Sequence, residues 1–80
     1  MTQNSTPTLK EIITRCLNEA GEPLLIGVLY AEVRGVQRRQ EIAYSSMDDL
    51  VVELRDMVAG GLVSKSDEEH PVYSVGPNAN

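Results

Sequence analysis

The chain has few of the residues on which disulfide, metal and stacking sites depend. Its 80 residues include one cysteine, one histidine, no tryptophan and no phenylalanine. A single cysteine cannot close a disulfide within the chain, and it excludes a zinc site built from several cysteines. The three tyrosines, without phenylalanine or tryptophan, make no stacking platform for single-stranded nucleic acid. Tyr30 and Tyr73 are in phase with predicted core positions, whereas the sequence does not decide the role of Tyr44.

Segments that direct a chain to a membrane are missing as well. No apolar run in the sequence approaches the roughly 20 residues that span a bilayer. Residues 1–6 lack the basic segment followed by an apolar one that a secretion signal requires. The sequence therefore predicts a cytoplasmic protein that does not bind membranes.

Motifs for catalysis are also absent. The sequence has no nucleophile-elbow pattern, no phosphate-binding glycine spacing and no paired-histidine zinc motif. Cys16 falls on the apolar face of a predicted helix, which is typical of a buried thiol rather than a nucleophile. The run Asp67–His70 is consecutive and lacks the glycine of a calcium loop, so we interpret it as a polar loop. We expect no enzymatic activity, no metal and no cofactor.

The net charge of −5 is unevenly distributed along the chain. Residues 1–44 carry five basic and five acidic side chains, which cancel. Residues 45–80 carry Arg55 and Lys65 against seven carboxylates. The whole excess of negative charge therefore belongs to the second half of the fold.

Apolar spacing predicts two helices in the first half. The first begins at a capping box over residues 8–11, in which threonine and glutamate satisfy each other's backbone amides, and ends at Gly21. Residues 22–25 contain a proline and are expected to be extended. The second helix begins near Ile26, and Gly35 is a candidate end for it.

The second half is predicted to contain a third helix and a hairpin. Three structures are open for residues 36–45: a helix extension, a long turn or a separate half-buried turn. Ser46 is the expected cap of the third helix, which ends at the glycine pair Gly60–Gly61. Residues 62–65 and 72–75 are rich in β-branched side chains and are interpreted as two strands.

This order of elements resembles the winged helix-turn-helix fold, without pointing to a specific family. The resemblance is carried by residues 21–25, between the first two helices, and by residues 54–63, where the third helix runs into a charged hairpin. It implies a mainly α, α+β domain over residues 8–76, with three helices followed by a two-stranded wing. Residues 1–7 and 77–80 are expected to be disordered tails. In winged-helix DNA binders the third helix enters the major groove and the wing contacts the adjacent backbone.

The third helix and the wing carry the wrong charge for that use. The helix face opposite the core is expected to display Asp48, Asp49, Val52, Glu53 and Asp56. Two like charges about 4 Å apart repel by about 1 kcal/mol even in water, which disfavours duplex DNA at this face. The face is then either a solvated surface or the binding surface of a basic protein partner. The second interpretation makes the protein a small adaptor or regulator, for example in transcription.

Arg34, Arg38 and Arg39 form a basic group with three candidate roles. As the alternative function, they would contact DNA in a transcriptional regulator, although tight binders use about 6–10 phosphate contacts. They would otherwise pair at the surface with Glu32 and Glu41. In the third role they meet the acidic third helix of a second copy, which gives a dimer or a chain of head-to-tail contacts.

Overall fold

The computed structural model describes residues 6–78, which form three helices and a three-stranded sheet. The elements are α1 (Leu9–Ala20), β1 (Leu24–Leu25), α2 (Ile26–Arg39), α3 (Met47–Ala59), β2 (Val63–Lys65) and β3 (Val72–Val75). The sheet is antiparallel, and its strand order is β1-β3-β2. The predicted fold class, α+β with three helices followed by a hairpin, is confirmed.

Helix α1 begins and ends where its local sequence predicts. The Thr8 hydroxyl accepts a hydrogen bond from the Glu11 amide at 3.1 Å, and the Glu11 carboxylate accepts one from the Thr8 amide at 2.8 Å. This reciprocal pair satisfies two amides that have no partner within the helix. Gly21 ends the helix with φ 68, in the left-handed region that glycine enters without steric cost.

Helix α2 continues through Gly35, so the expectation that this glycine ends it is wrong. Val36 and Gln37 lie beyond the glycine and are both buried, with 4% and 2% of their surface exposed. They extend the spacing of Leu29 and Val33 along the buried side of the helix. A glycine in a helix costs about 1 kcal/mol relative to alanine, whereas burying a valine side chain gains roughly 1.5–3 kcal/mol. Burial therefore outweighs the glycine, and the helix-extension alternative is the correct one as far as Arg39.

Helices α2 and α3 end in the same hydrogen-bonded motif. In each, the second residue after the cap donates its amide to a carbonyl in the last turn, and the residue between them has positive φ. The closing bonds are Ile42 N to Gln37 O at 2.8 Å and Leu62 N to Met57 O at 2.9 Å. The left-handed residue is Gly61 (φ 79) after α3 but Glu41 (φ 58) after α2. Glu41 is the one non-glycine residue with positive φ in the described part of the chain.

The sheet contains one strand more than the predicted hairpin. The extended link before α2 forms β1, which pairs with β3 through Leu24 opposite Tyr73 and Leu25 opposite Val72. Gly76 follows β3 and is buried against the turn before β2. A Cβ atom at Gly76 would lie 2.8 Å from the backbone nitrogen of Val63, which no L side chain tolerates without backbone movement. The two strands of the hairpin are therefore joined at their base by a contact that requires glycine.

The core lies between the three helices and the inner face of the sheet. Its fully buried large side chains are Ile13, Leu29, Val33, Leu50, Leu54 and Met57. Tyr73 joins them from β3, and Val63 joins them from β2. None of the helices within residues 6–78 is long and apolar enough to cross a bilayer.

The two predicted tails fall largely outside the described residues, namely 1–5 and 79–80. Pro77 and Asn78 of the second predicted tail are described, and Asn78 is bonded to the turn after α3. Its amide donates to the carbonyl oxygen of Gly61 at 2.8 Å, and its side chain donates to that of Gly60 at 3.1 Å. Through these bonds Asn78, which lies after the end of β3, is attached to the turn that follows α3.

Candidate functional site

Helix α3 displays a stripe of one apolar and two acidic side chains to solvent. Its buried side carries Leu50, Leu54 and Met57. On the opposite side Asp48, Val52 and Asp56 are exposed at intervals of four residues, so they follow one line along the helix. We call Asp48, Asp49, Val52 and Asp56 the acidic face. Val52 is 58% exposed, more than any other large apolar side chain in the described chain.

Two residues of the predicted face, Asp49 and Glu53, differ from the others in their hydrogen bonds or their burial. The Asp49 carboxylate accepts a hydrogen bond from the Ser46 amide at 3.3 Å, while the Ser46 hydroxyl accepts one from the Asp49 amide at 3.0 Å. Asp49 therefore caps its own helix besides adding charge to the face. Glu53 is half-buried at the side of the helix rather than displayed beside Val52. The stripe of Asp48, Val52 and Asp56 is thus the part of the face that is open to a partner.

No cation among the described residues, 6–78, forms an ion pair with the acidic face. Within residues 6–78 a single ion pair is closer than 4.0 Å, and it joins Arg15 to Glu19 on α1 at 3.3 Å. The surface pairing of the three arginines with Glu32 and Glu41, one of the alternatives drawn from the sequence, is not formed. The carboxylates of the acidic face and the three arginines of α2 are therefore available to other molecules.

Arg34 and Arg38 lie together beside a loop tyrosine. The guanidinium carbon of Arg34 is 4.4 Å from the ring centroid of Tyr44 and 5.7 Å from that of Tyr30. Arg38 follows one turn later on α2, rotated by about 40° from Arg34. With Gly35 these side chains line a cavity of about 260 Å³. We call Arg34, Arg38 and Tyr44 the basic cleft.

Arg39 is separated from the basic cleft. It is rotated by about 140° from Arg34 around the axis of α2, and it does not line the cavity. Its Nη1 atom lies 3.6 Å from the point where a Cβ of Gly35 would be. Two of the three arginines that the sequence groups together thus line the cleft, and Arg39 lies beside Gly35 without lining it.

Gln37 is the residue of this region that sequence reasoning missed. Its side chain is buried, donates to the Ser45 hydroxyl at 2.9 Å and accepts from the Ser45 amide at 3.2 Å. The Tyr30 hydroxyl donates to the Ser45 carbonyl at 3.1 Å. These three bonds fix the loop between α2 and α3, and with it Tyr44, against α2. The signal was the spacing of four from Val33, which places residue 37 on the buried side of a continued helix.

The wing carries further charge but no assembled site. Asp67, Glu68, Glu69 and His70 are all exposed in the loop between β2 and β3. Among the described residues, no group of three or more potential ligands is arranged to hold a metal ion. The two basic residues of the second half, Arg55 and Lys65, line a cavity of about 160 Å³ between α3 and the wing.

Cys16 is buried and surrounded by groups that disfavour its thiolate. The pKa of the thiol is raised from 9.0 to about 11, chiefly by desolvation and also by the charges of Glu32 and Glu19, while Arg15 and Arg39 act in the opposite direction. A thiol with this pKa is protonated at neutral pH and is a poor nucleophile. Its burial agrees with the interpretation of Cys16 as a small apolar side chain of the core.

Comparison of the chain with protein-family models, with curated proteins and with solved structures gave no match. The winged-helix resemblance therefore stays a prediction. What the chain offers for function is the acidic face on α3 and the basic cleft on α2, each exposed and each without an ionic partner among residues 6–78.

Proposed function

We propose that this protein is a small, non-enzymatic adaptor or regulator of winged-helix type, and that it binds a basic protein partner through the acidic face. The observation that carries the proposal is the exposure of Val52, at 58%, between Asp48 and Asp56. A solvated surface gains nothing from an apolar side chain at its centre. A partner that covers Val52 removes apolar area from water, and its cations relieve the repulsion between carboxylates.

The spacing of the stripe defines the chemistry of the partner. Asp48 and Asp56 are eight residues apart, which corresponds to about 12 Å along a helix axis. The matching surface has an apolar side chain between two Lys or Arg side chains, at intervals of about 6 Å, as on one stripe of a basic amphipathic helix. Charge complementarity of this kind chiefly accelerates association and selects among partners, so binding should weaken strongly with salt. The exposed carboxylates of the wing loop, Asp67 to Glu69, extend the negative surface in the same half of the chain.

The winged-helix part of the proposal is supported by the order of the elements and of the strands. Three helices precede the hairpin, and a short strand between α1 and α2 adds to it. The fold alone does not decide between DNA and protein as the partner. The charge of α3 favours protein. We also keep the cytoplasm as the proposed compartment, because Cys16 is a free thiol.

The alternative function, DNA binding through Arg34, Arg38 and Arg39, has less support. The structure leaves Arg39 outside the cleft, so two arginines would face the same phosphates. Two contacts correspond to a salt slope of about −2, far below that of tight DNA binders. Fluorescence anisotropy with a labelled duplex at low salt tests this function. Binding that is lost in Arg34→Glu/Arg38→Glu and shows a steep salt slope would replace the proposed function.

The proposed function is tested with two triple variants that remove the same kinds of side chain at different places on the surface. The first, Asp48→Asn/Val52→Ser/Asp56→Asn, removes two charges and one exposed valine from the acidic face and leaves the Asp49 cap intact. The control, Glu22→Gln/Val28→Ser/Glu32→Gln, removes the same groups elsewhere. Val28 is 46% exposed, and both control glutamates are exposed.

Each variant is used as bait under native conditions, and captured proteins are quantified by mass spectrometry after cross-linking. We expect the control to retain the partner of the wild-type chain and the face variant to lose it. Circular dichroism checks that both remain folded. Equal capture by the two folded variants would refute a partner site on α3.

A further inference from the structure

We infer that the basic cleft is the docking site for the acidic face of a second copy of this chain, and that the protein pairs as a two-fold dimer. The inference rests on the proposed function, because it names one occupant that the acidic face would take. It depends on an observation that the proposed function does not use, namely the geometry of Arg34, Arg38 and Tyr44.

The cleft presents oriented cations. The ring of Tyr44 lies 4.4 Å from the guanidinium carbon of Arg34, and that of Tyr30 lies at 5.7 Å. Stacking of this kind fixes the plane of the guanidinium while leaving the donors at its edge free for carboxylates. Among residues 6–78 no carboxylate approaches Arg34 or Arg38 within 4.0 Å. Gly35 adds no side chain to the floor of the cleft, which leaves the cavity between the arginines open.

A short stretch of chain, anchored by hydrogen bonds, links the cleft to the acidic face. Gln37 and Tyr30 hold Ser45 by three hydrogen bonds, and Ser46 caps α3 directly after it. Tyr44 in the cleft is therefore followed within one anchored stretch by the first carboxylate of the face. A chain that carries both a cationic cleft and an acidic face can make two equivalent contacts with a second copy about a two-fold axis. The cleft of each copy then faces the acidic face of the other.

Half of the exposed large apolar side chains of the described chain belong to one short stretch of the sequence. Six large apolar side chains are exposed in the described chain, and three of them, Tyr44, Met47 and Val52, fall within residues 44–52. A homodimer interface needs such area at its centre, with charged groups around it. DNA phosphates would be repelled by the carboxylates of α3, so a second copy suits both the cleft and the acidic face, whereas DNA suits the cleft alone.

The dimer is expected to be weak and sensitive to salt. Exposed ion pairs contribute little individually and are screened within about 10 Å at 0.1 M salt. The first measurement is sedimentation equilibrium of the wild-type chain up to about 1 mM, in about 0.01 M and about 1 M salt, where the screening lengths are about 30 and 3 Å. We expect the mass to rise to that of a dimer at low salt and to return to the monomer at high salt. A monomer throughout, or a mass that passes the dimer, would overturn the inference.

Charge exchange tests the pairing itself. Arg34→Glu/Arg38→Glu makes both surfaces of the chain acidic, and Asp48→Arg/Asp56→Arg makes both basic, so each variant alone should repel its own copies and stay monomeric. Mixed in equal amounts they restore both contacts, and we expect a one-to-one heterodimer. Lys10→Glu/Arg15→Glu is the control for net charge, because it changes two exposed cations on α1, and it should dimerise like the wild-type chain.

The outcomes separate this inference from the proposed function. Failure of the mixture to associate at low salt, while each variant is folded by circular dichroism, removes the dimer. If a different basic protein is then captured by the wild-type chain and lost in Asp48→Asn/Val52→Ser/Asp56→Asn, the proposed function stands without it. If the cleft variant loses binding of a short labelled duplex that the wild-type chain retains, the cleft belongs to phosphates and the inference is likewise overturned.

Discussion

Replacement of Glu41 by glycine should stabilise the protein. Glu41 has φ 58 at the end of α2, where the amides of Glu41 and Ile42 return to carbonyls of the last helical turn. A residue with a Cβ atom in this conformation costs roughly 1–2 kcal/mol. Glycine removes that cost but loses more entropy on folding, by about 0.5–1 kcal/mol. We therefore expect the backbone effect alone to raise the free energy of unfolding by about 0.5–1 kcal/mol.

A second contribution must be separated from this backbone effect. The carboxylate of Glu41 lies at the negative end of the helix dipole, which costs a further 0.3–1 kcal/mol or so at low ionic strength. Glu41→Ala relieves the charge but keeps the Cβ atom, so the difference between the glycine and alanine variants isolates the backbone. Gly21→Ala is the reverse experiment. Gly21 has φ 68, and a Cβ atom added there would meet no other atom within 4 Å, so its replacement should cost about 1 kcal/mol through conformation alone.

Denaturant unfolding followed by circular dichroism measures all three variants. For a domain of this size, 1 kcal/mol corresponds to a shift in Tm of about 4–8 °C. We expect Glu41→Gly to be more stable than Glu41→Ala, and Gly21→Ala to be less stable than the wild-type chain. An alanine variant as stable as the glycine variant would refute the assignment of strain to the backbone of residue 41.

Single residues elsewhere in the chain give three further predictions. Gly76→Ala should lower the free energy of unfolding, measured in denaturant, by roughly 1–3 kcal/mol, because its Cβ atom would meet backbone atoms. Gly27→Ala, at a helix position where a Cβ atom has open space, should raise it by about 0.5–1 kcal/mol. Equal effects of the two substitutions would contradict the close approach at Gly76. Gln37→Leu should lower the free energy of unfolding by about 1–3 kcal/mol, because it leaves the half-buried Ser45 amide without a partner, and an unchanged midpoint would contradict that role. The thiol pKa of Cys16 is about 11 in the folded chain against 9.0 for a free thiol, so the unfolded chain loses its proton first and stability should fall as pH rises from 9.0 to about 11. Cys16→Ala should lack that part of the pH dependence, and identical pH profiles for the two chains would exclude the shift.

Local signals predicted the parts of the fold that are closed by local hydrogen bonds. The capping box of Thr8 and Glu11 and the Ser46 cap both lie within four residues of the helices they begin, and all their bonds are formed. The outward orientation of Asp48, Val52 and Asp56 likewise follows from helix periodicity alone. For this reason the acidic face could be predicted before the structure was known.

The basic cleft could not be predicted because its parts come together through contacts that are distant in sequence. Whether α2 continues past Gly35 depends on Val36 reaching the core and on Gln37 finding Ser45, and neither contact is visible in local propensity. The strand β1 is two residues long, and its pairing depends on β3, which lies near the other end of the chain. Sequence reasoning named Arg34 and Arg38 but had no means of placing Tyr44 against them.

The loop of residues 40–46 connects the two surfaces and is the part of the chain where local preference is most strongly overruled. The loop contains a left-handed glutamate, Glu41, and is held by the buried side chain of Gln37, which lies before it in α2. Both features have the same result: they end α2 abruptly and hold Ser45 in place, so that Tyr44 lies against Arg34 and α3 begins beside the cleft. A glycine at residue 41 and an apolar residue at 37 would make a more ordinary core. Glu41→Gly preserves the loop conformation and should therefore leave dimerisation unchanged, whereas Gln37→Leu releases the loop and should weaken it at low salt. Equal dimerisation of these two folded variants would mean that the cleft does not depend on the loop that positions Tyr44.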